Sequence, residues 1–114
     1  MCLLSLLHHV SDEDDPHGIV AHLMDALPPG SHLALTHVTG DFLPAATTAR
    51  GIALYRARGI PVQPRTRASI ARFFDGLELL EPGLVPVQRW RPAPGVVPVA
   101  DAAAGGYGAV ARKA

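Results

Sequence analysis

Residues 2–10 read CLLSLLHHV and are followed at 11–16 by SDEDDP. A short apolar run that does not alternate predicts a strand buried on both faces, the habit of parallel sheets covered by helices. The acidic turn residues end it. Asp15 as cap and Pro16 at the first helical position open a helix through Leu27, with Ile19, Val20, Leu23, Met24 and Leu27 at helical spacing. Pro28, Pro29 and Gly30 stop it. Residues 31–38, SHLALTHV, alternate and close on a polar TGD turn. Strand, helix and strand at this spacing predict a βαβ unit with a right-handed parallel crossover. SHLALTHV can cover only one edge of the opening strand, and an open apolar edge is a template for association.

Further along, an Ala-rich helix is predicted from about Pro44 to Arg58, with Ile52, Leu54 and Tyr55 as its larger apolar residues and Gly59 as its stop. Thr66 is a cap for a further helix that places Ile70, Phe73 and Phe74 on one side before Gly76. Residues 77–90, LELLEPGLVPVQRW, read as a strand interrupted at Pro82-Gly83, with Pro86 at a bulge or an edge. Residues 91–106 read as a loop without periodicity. The tail YGAVARK at 107–113 sets Tyr107, Ala109 and Ala111 against Gly108, Val110 and Arg112 and reads as a last strand.

Composition bounds the function classes. Ten basic and ten acidic residues in 114 give a formal net charge of zero, which argues against a dedicated nucleic-acid binder. Hydrophobic residues at 48% against 18% charged exclude a disordered chain and fit one domain. No apolar run reaches the roughly 20 residues that cross a bilayer. Cys2 alone cannot form an internal disulfide, and the opening residues lack a secretory pattern, so the cytoplasm is the expected compartment. Lys occurs once, and the excess of Arg reads as GC-rich coding. All six acids of residues 1–49 precede the first base, Arg50, and the two halves carry about −6 and +6. Solvated surface is the plain reading of that asymmetry.

The six histidines do not space themselves as metal ligands. Donors must converge at about 2.0 to 2.2 Å around zinc, whereas the adjacent His8 and His9 point to opposite faces of a strand. His17 and His22 miss the spacing that aligns ligands on a helix. No metal is expected. Ser5 and Ser11 lack a glycine-flanked elbow, and Gly105-Gly106-Tyr107-Gly108 precedes a strand rather than a helix, so it reads as a flexible turn. In open α/β sheets ligands bind beyond the carboxyl ends of parallel strands. Those ends are His8 to Asp12 and His37 to Asp41. Either His37 or Asp41 fits a general base, and turn capping is the competing reading.

The segments LLSLLHHVSDEDDP, PPGSHLALTHVTGDF, ALYRARGIPVQPRTRASIARFFDGLELLEPGLVPVQRWRP and YGAVARK resemble, in this order, the carboxyl-terminal half of class I, Rossmann-like S-adenosylmethionine-dependent methyltransferases. The similarity is strongest to the bacterial S-adenosyl methyltransferase family of unassigned substrate, with FFDGLELLEPGLVPVQRWRP as the family-like block. The resemblance implies an α/β fold over 1–114, a partial doubly wound sheet equivalent to strands four to seven. The last strand would be antiparallel and inserted between the fifth and sixth. It implies S-adenosylmethionine as cofactor and a small-molecule methyl acceptor. Leu7, His8, His9 and Val10 would line the cofactor pocket, and His37, Thr39 and Asp41 would lie near the substrate. The glycine-rich cofactor loop and ribose-binding acid of that fold have no counterpart here. A truncated gene product, a late start codon, or a half completed by another chain each fit. The alternative function is a non-catalytic interaction module, a homo-oligomer or complementing chain joining through the open edge. A dehydrogenase half fits less well for want of the glycine fingerprint.

Overall fold

The computed structural model describes residues 1–97 and 105–114. Its strands are β1 (Cys2–Leu4), β2 (His32–Val38), β3 (Glu78–Leu79), β4 (Val85–Pro86) and β5 (Gly106–Arg112), and its helices are α1 (Pro16–Asp25), α2 (Ala45–Ala57) and α3 (Arg67–Ala71). One sheet runs β1-β2-β5-β3, with β4 also on β5. β1 is parallel to β2, from Cys2 opposite Ala34 to Leu4 opposite Thr36. β5 is antiparallel to β2 along its whole length. β3 and β4 pair antiparallel with β5 and are the two pieces of the strand expected over 77–90. Gly83 N–H donates to the Leu80 carbonyl at 2.8 Å in the turn between them. The last strand therefore lies antiparallel inside the sheet, as the resemblance implies.

The opening strand is shorter than its apolar run. Ser5 takes a left-handed backbone, φ +52°, and its N–H donates to the Thr36 carbonyl and hydroxyl. That turns the chain off the sheet into a 3-10 turn at Leu7–His9. Leu7 enters the core while Leu4 and Leu6 stay 59% and 50% exposed. Burial on both faces is thus not met among the described residues. β1 pairs with β2 on one edge and with no described strand on the other.

Period-two alternation puts Leu33, Leu35 and His37 of β2 and Tyr107, Ala109 and Ala111 of β5 on one buried face. Val20 and Met24 of α1, Ile70 of α3, and Phe73 and Phe74 of the 3-10 turn after it share that core. Ile19 and Leu23, expected in it, are about two-fifths exposed because they sit on a neighbouring stripe of α1. Asp15 caps α1 through Gly18 N–H at 3.1 Å. A Cβ on Gly18 would stand 2.1 Å from that carboxylate, so the cap requires glycine. Lys113 Nζ closes the other end, donating to the carbonyls of Met24 and Leu27 at 2.8 and 2.7 Å. α2 spans nearly its predicted range yet buries no residue, with Leu54 62% exposed.

The molecule measures 42 × 41 × 20 Å, and 20 Å holds one sheet and one helix layer at about 10 Å each. Gly106 and Gly108 are not a flexible turn but buried strand residues. A Cβ on Gly106 would meet the His37 carbonyl oxygen at 2.8 Å, so glycine lets β5 close on β2 there. The expected loop over 91–106 lies partly outside the described residues.

Candidate functional site

The carboxyl ends of β1 and β2 open on a cavity of about 520 Å³. Ser5, His8 and His9 come from the first end, Thr36, His37 and Val38 from the second. Tyr55 of α2, Val62 of the connector, Val87, and Gly105 and Gly106 complete it. His8, His9 and His37 are thus brought together from positions 28 residues apart or more along the chain, as the rule about strand ends predicts. Leu7 and Val10 are not in the wall, because Leu7 turns into the core and Val10 packs against it. Thr39 is buried, and its Oγ1 accepts the Asp41 N–H at 3.1 Å. The Asp41 carboxylate accepts from the Arg67 N–H and the Tyr107 hydroxyl, both at 3.0 Å, beside a separate depression of about 340 Å³. Capping is what Thr39 and Asp41 visibly do here.

The residue that organises the site is Arg65, which the reading of arginine as coding bias passed over. Its guanidinium is buried and spends all five N–H groups. Nη1 donates to the Leu7 carbonyl at 3.0 Å and to His37 Nε2 at 2.8 Å. Nη2 donates to the Val10 carbonyl at 2.7 Å and to Asp12 Oδ1 at 2.9 Å, and Nε reaches the same oxygen at 3.2 Å. Gln63 adds a reciprocal amide pair with Asp12, at 2.7 and 3.0 Å. The turn carrying His8 and His9 is therefore clamped from both flanks. The charge asymmetry signalled only that a partner of the acidic run lies in the basic half, and it singles out none of the ten bases there.

The histidines are held in distinct states. His37 Nδ1 donates to the Val38 carbonyl at 2.7 Å, so Nε2 carries the lone pair that Arg65 fills. Burial, with Arg65 and the other histidines adding to it, pushes its pKa down to about 4. Burial also lowers His8, helped by His9 and Arg65. His8 Nδ1 is buried without a hydrogen-bond partner among the described residues. His9 Nδ1 donates to the Pro61 carbonyl at 2.8 Å. Phe73 lies between His17 and His37, with ring centroids 4.1 and 5.9 Å away, and fixes the back of the site. The Gln63 amide and Arg65 hold the Asp12 carboxyl below its ordinary range. Among the described residues no three His, Cys, Asp or Glu side chains group as a metal would need.

Comparison with known proteins adds the lineage. The profile of a family described as S-adenosyl methyltransferase matches residues 1–114. A DUF574 family protein from Streptomyces avermitilis is 42% identical, with a TM-score of 0.92 over 99% of this chain and 43% of its own. A protein from Thermobifida fusca assigned as a methyltransferase is 30% identical, with a TM-score of 0.80 over 98% of this chain and 42% of its own. The N-methyltransferase NodS from Bradyrhizobium japonicum, solved in complex with S-adenosyl-L-homocysteine, shares the fold at 15% identity, with a TM-score of 0.53 over 98% of this chain and 44% of its own. No curated protein sequence matches. The chain thus spans less than half the length of the structures it resembles, and by a match that runs from its first residue to its last it belongs to the S-adenosyl methyltransferase family.

Proposed function

We propose that these 114 residues are the distal half of a class I methyltransferase domain and form one wall of its reaction site. The observation that carries this reading is the cavity where the parallel strands β1 and β2 end, at the His8-His9 turn and His37. S-adenosylmethionine, when bound, supplies an electrophilic methyl group on a sulfonium sulfur. Among the described residues the wall bears no Asp, Glu, Lys or Arg, so it fits the uncharged parts of that cofactor and leaves its ammonium and carboxylate without partners. In this reading His8 and His9 face the cofactor, and Leu7 and Val10 serve through the carbonyls that Arg65 holds. Beside the acceptor, His37 keeps Arg65 in place, and Thr39 and Asp41 shape the β2–α2 turn. Rate would come mainly from alignment of acceptor and methyl carbon. The acceptor is a small molecule, and the cytoplasm is the compartment that suits an unpaired Cys2.

Calorimetry of the chain with S-adenosylhomocysteine tests the reading. Weak binding with perturbation of His8 and His9 is expected. Micromolar binding would contradict a cofactor held mainly by another half. A second reading, a non-catalytic module completed by a partner subunit, is favoured by the one-sided pairing of β1. A cooperatively melting monomer by size exclusion would remove it.

A further inference from the structure

We propose that α2 is a lid: it turns as a rigid helix between its two anchored ends, closes the gap beneath it and carries Tyr55 across the mouth of the strand-end cavity. That the cavity holds S-adenosylmethionine rests on the methyl-transfer reading above; the hinged helix stands on its own geometry. The segment is tied down on either side of itself and nowhere within. Upstream, the Asp41 carboxylate accepts from the Arg67 N–H and the Tyr107 hydroxyl, and the Phe42 ring lies 5.3 Å from that of Tyr107. Downstream, the Pro61 carbonyl accepts from His9 Nδ1 at 2.8 Å, the Gln63 N–H donates to the His8 carbonyl at 2.7 Å, and the Arg65 N–H donates to that of Val38 at 3.2 Å. Among the described residues, no group of residues 43–60 bonds to the body of the domain: their hydrogen bonds run among themselves and back to Gly40. A helix that buries no residue and makes no outside bond is displaced at small cost.

Beneath the helix there is room to move. Ala45, Thr48, Ala49 and Ile52 recur at helical spacing on one stripe, and the gap of about 340 Å³ separates them from Gly40 and the segment 64–66. The stripe is small and largely apolar, the kind of surface a helix lays against a neighbour, yet Ala45 and Ala49 are exposed and Ile52 is only half-buried. Thr48 Oγ1, on the same stripe, is buried without a hydrogen-bond partner among the described residues, so the standing arrangement leaves it unsatisfied. Hinges are the residues at the ends of an element, here Pro44 before the helix and Gly59, φ +76°, after it. Tyr55 follows Ile52 by three residues, lines the strand-end cavity and is still 50% exposed. The mouth is therefore open on the side of α2. Settling of the stripe onto the segment 64–66 buries Ile52, and the Tyr55 ring then covers a bound ligand and excludes water from it.

The two tyrosines of the chain supply the test, because Tyr55 rides on the helix and Tyr107 is buried in the sheet. Both are replaced by fluorotyrosine in the full chain, assigned with Tyr55→Phe, and the fluorine relaxation caused by a soluble gadolinium chelate is read by NMR. In the free chain Tyr55 should relax strongly and Tyr107 hardly at all. Sucrose at about 1 M, which favours the smaller surface, and millimolar S-adenosylhomocysteine should each remove most of the Tyr55 relaxation and leave Tyr107 unmoved. Ala49→Glu sets a charge in the gap and should abolish both responses, whereas Thr47→Glu, on the far side of the helix, should keep them. A Tyr55 sheltered from the outset, no response to either agent, equal behaviour of the two Glu variants, or Tyr107 changing in step would overturn the lid. Closure in sucrose without binding of S-adenosylhomocysteine removes the cofactor reading and leaves the lid standing. Binding seen at the His8 and His9 resonances with Tyr55 still exposed does the opposite.

Discussion

On the face of the sheet that meets α1 and α3, Leu33, Leu35 and Ala111 are at most 1% exposed, whereas Leu4 on the opposite face is 59% exposed. α2 tells the same story, burying nothing while Leu54 and Tyr55 stand in solvent. Among the described residues the inner face is a finished core, and the outer face, with the edge of β1 that pairs with no described strand, is apolar surface with little over it. Val87 and Trp90 border a shallow groove of about 270 Å³ on that side. Apolar residue type is thus a guide to what a segment is made to bury, and not to what it buries in this chain.

The sharpest way to break this contrast is a pair of truncations. Leu35→Ala should cost about 2 to 5 kcal/mol in denaturant unfolding, and Leu4→Ala within about 0.5 kcal/mol. A large loss at Leu4 would mean that the outer face is covered in solution. Arg65→Met comes next, at about 3 kcal/mol, because it strips donors from the buried His37 nitrogen and the Leu7 carbonyl. Asp12→Asn should cost under about 1 kcal/mol, since the Asp12 side chain is 66% exposed and rehydrates.

The pH dependence sharpens the same distinction. His37 is neutral when folded, so between pH 6.5 and about 4 the unfolded chain binds the extra proton. Its contribution is fully present above pH 6.5 and is lost as pH falls toward 4, by up to roughly 3 kcal/mol. His37→Gln should flatten that slope in thermal melts recorded across the window. The lowered Asp12 contributes only further down, its share being lost as pH falls below the ordinary carboxylate range. The smallest effect belongs to the free edge, where Leu4→Lys should reduce any self-association seen by size exclusion without moving the melting transition.

Much of the sheet was legible because alternation is a local signal. YGAVARK and SHLALTHV became the central antiparallel pair with the inward residues their spacing predicts. CLLSLLHHV was overread because an unalternating run does not distinguish a strand from a strand followed by a helical turn. The deciding feature, a left-handed Ser5, leaves no mark in hydropathy. His8, His9 and His37 were legible through the strand-end rule. Arg65 was not, since its partners lie up to 58 residues away and exist only after β1 and β2 pair. Thr39 and Asp41 show the limit from the other side, because polar residues at a strand end cap turns as readily as they meet ligands.

Lys113 is the one lysine of the chain, and its ammonium is engaged by the last carbonyls of α1. An amine-directed reagent therefore has a single side-chain target, one that reacts only while the final turn of that helix has let go. The rate of acetylation at this position would serve as a clock for fraying at the far end of the domain from the cavity.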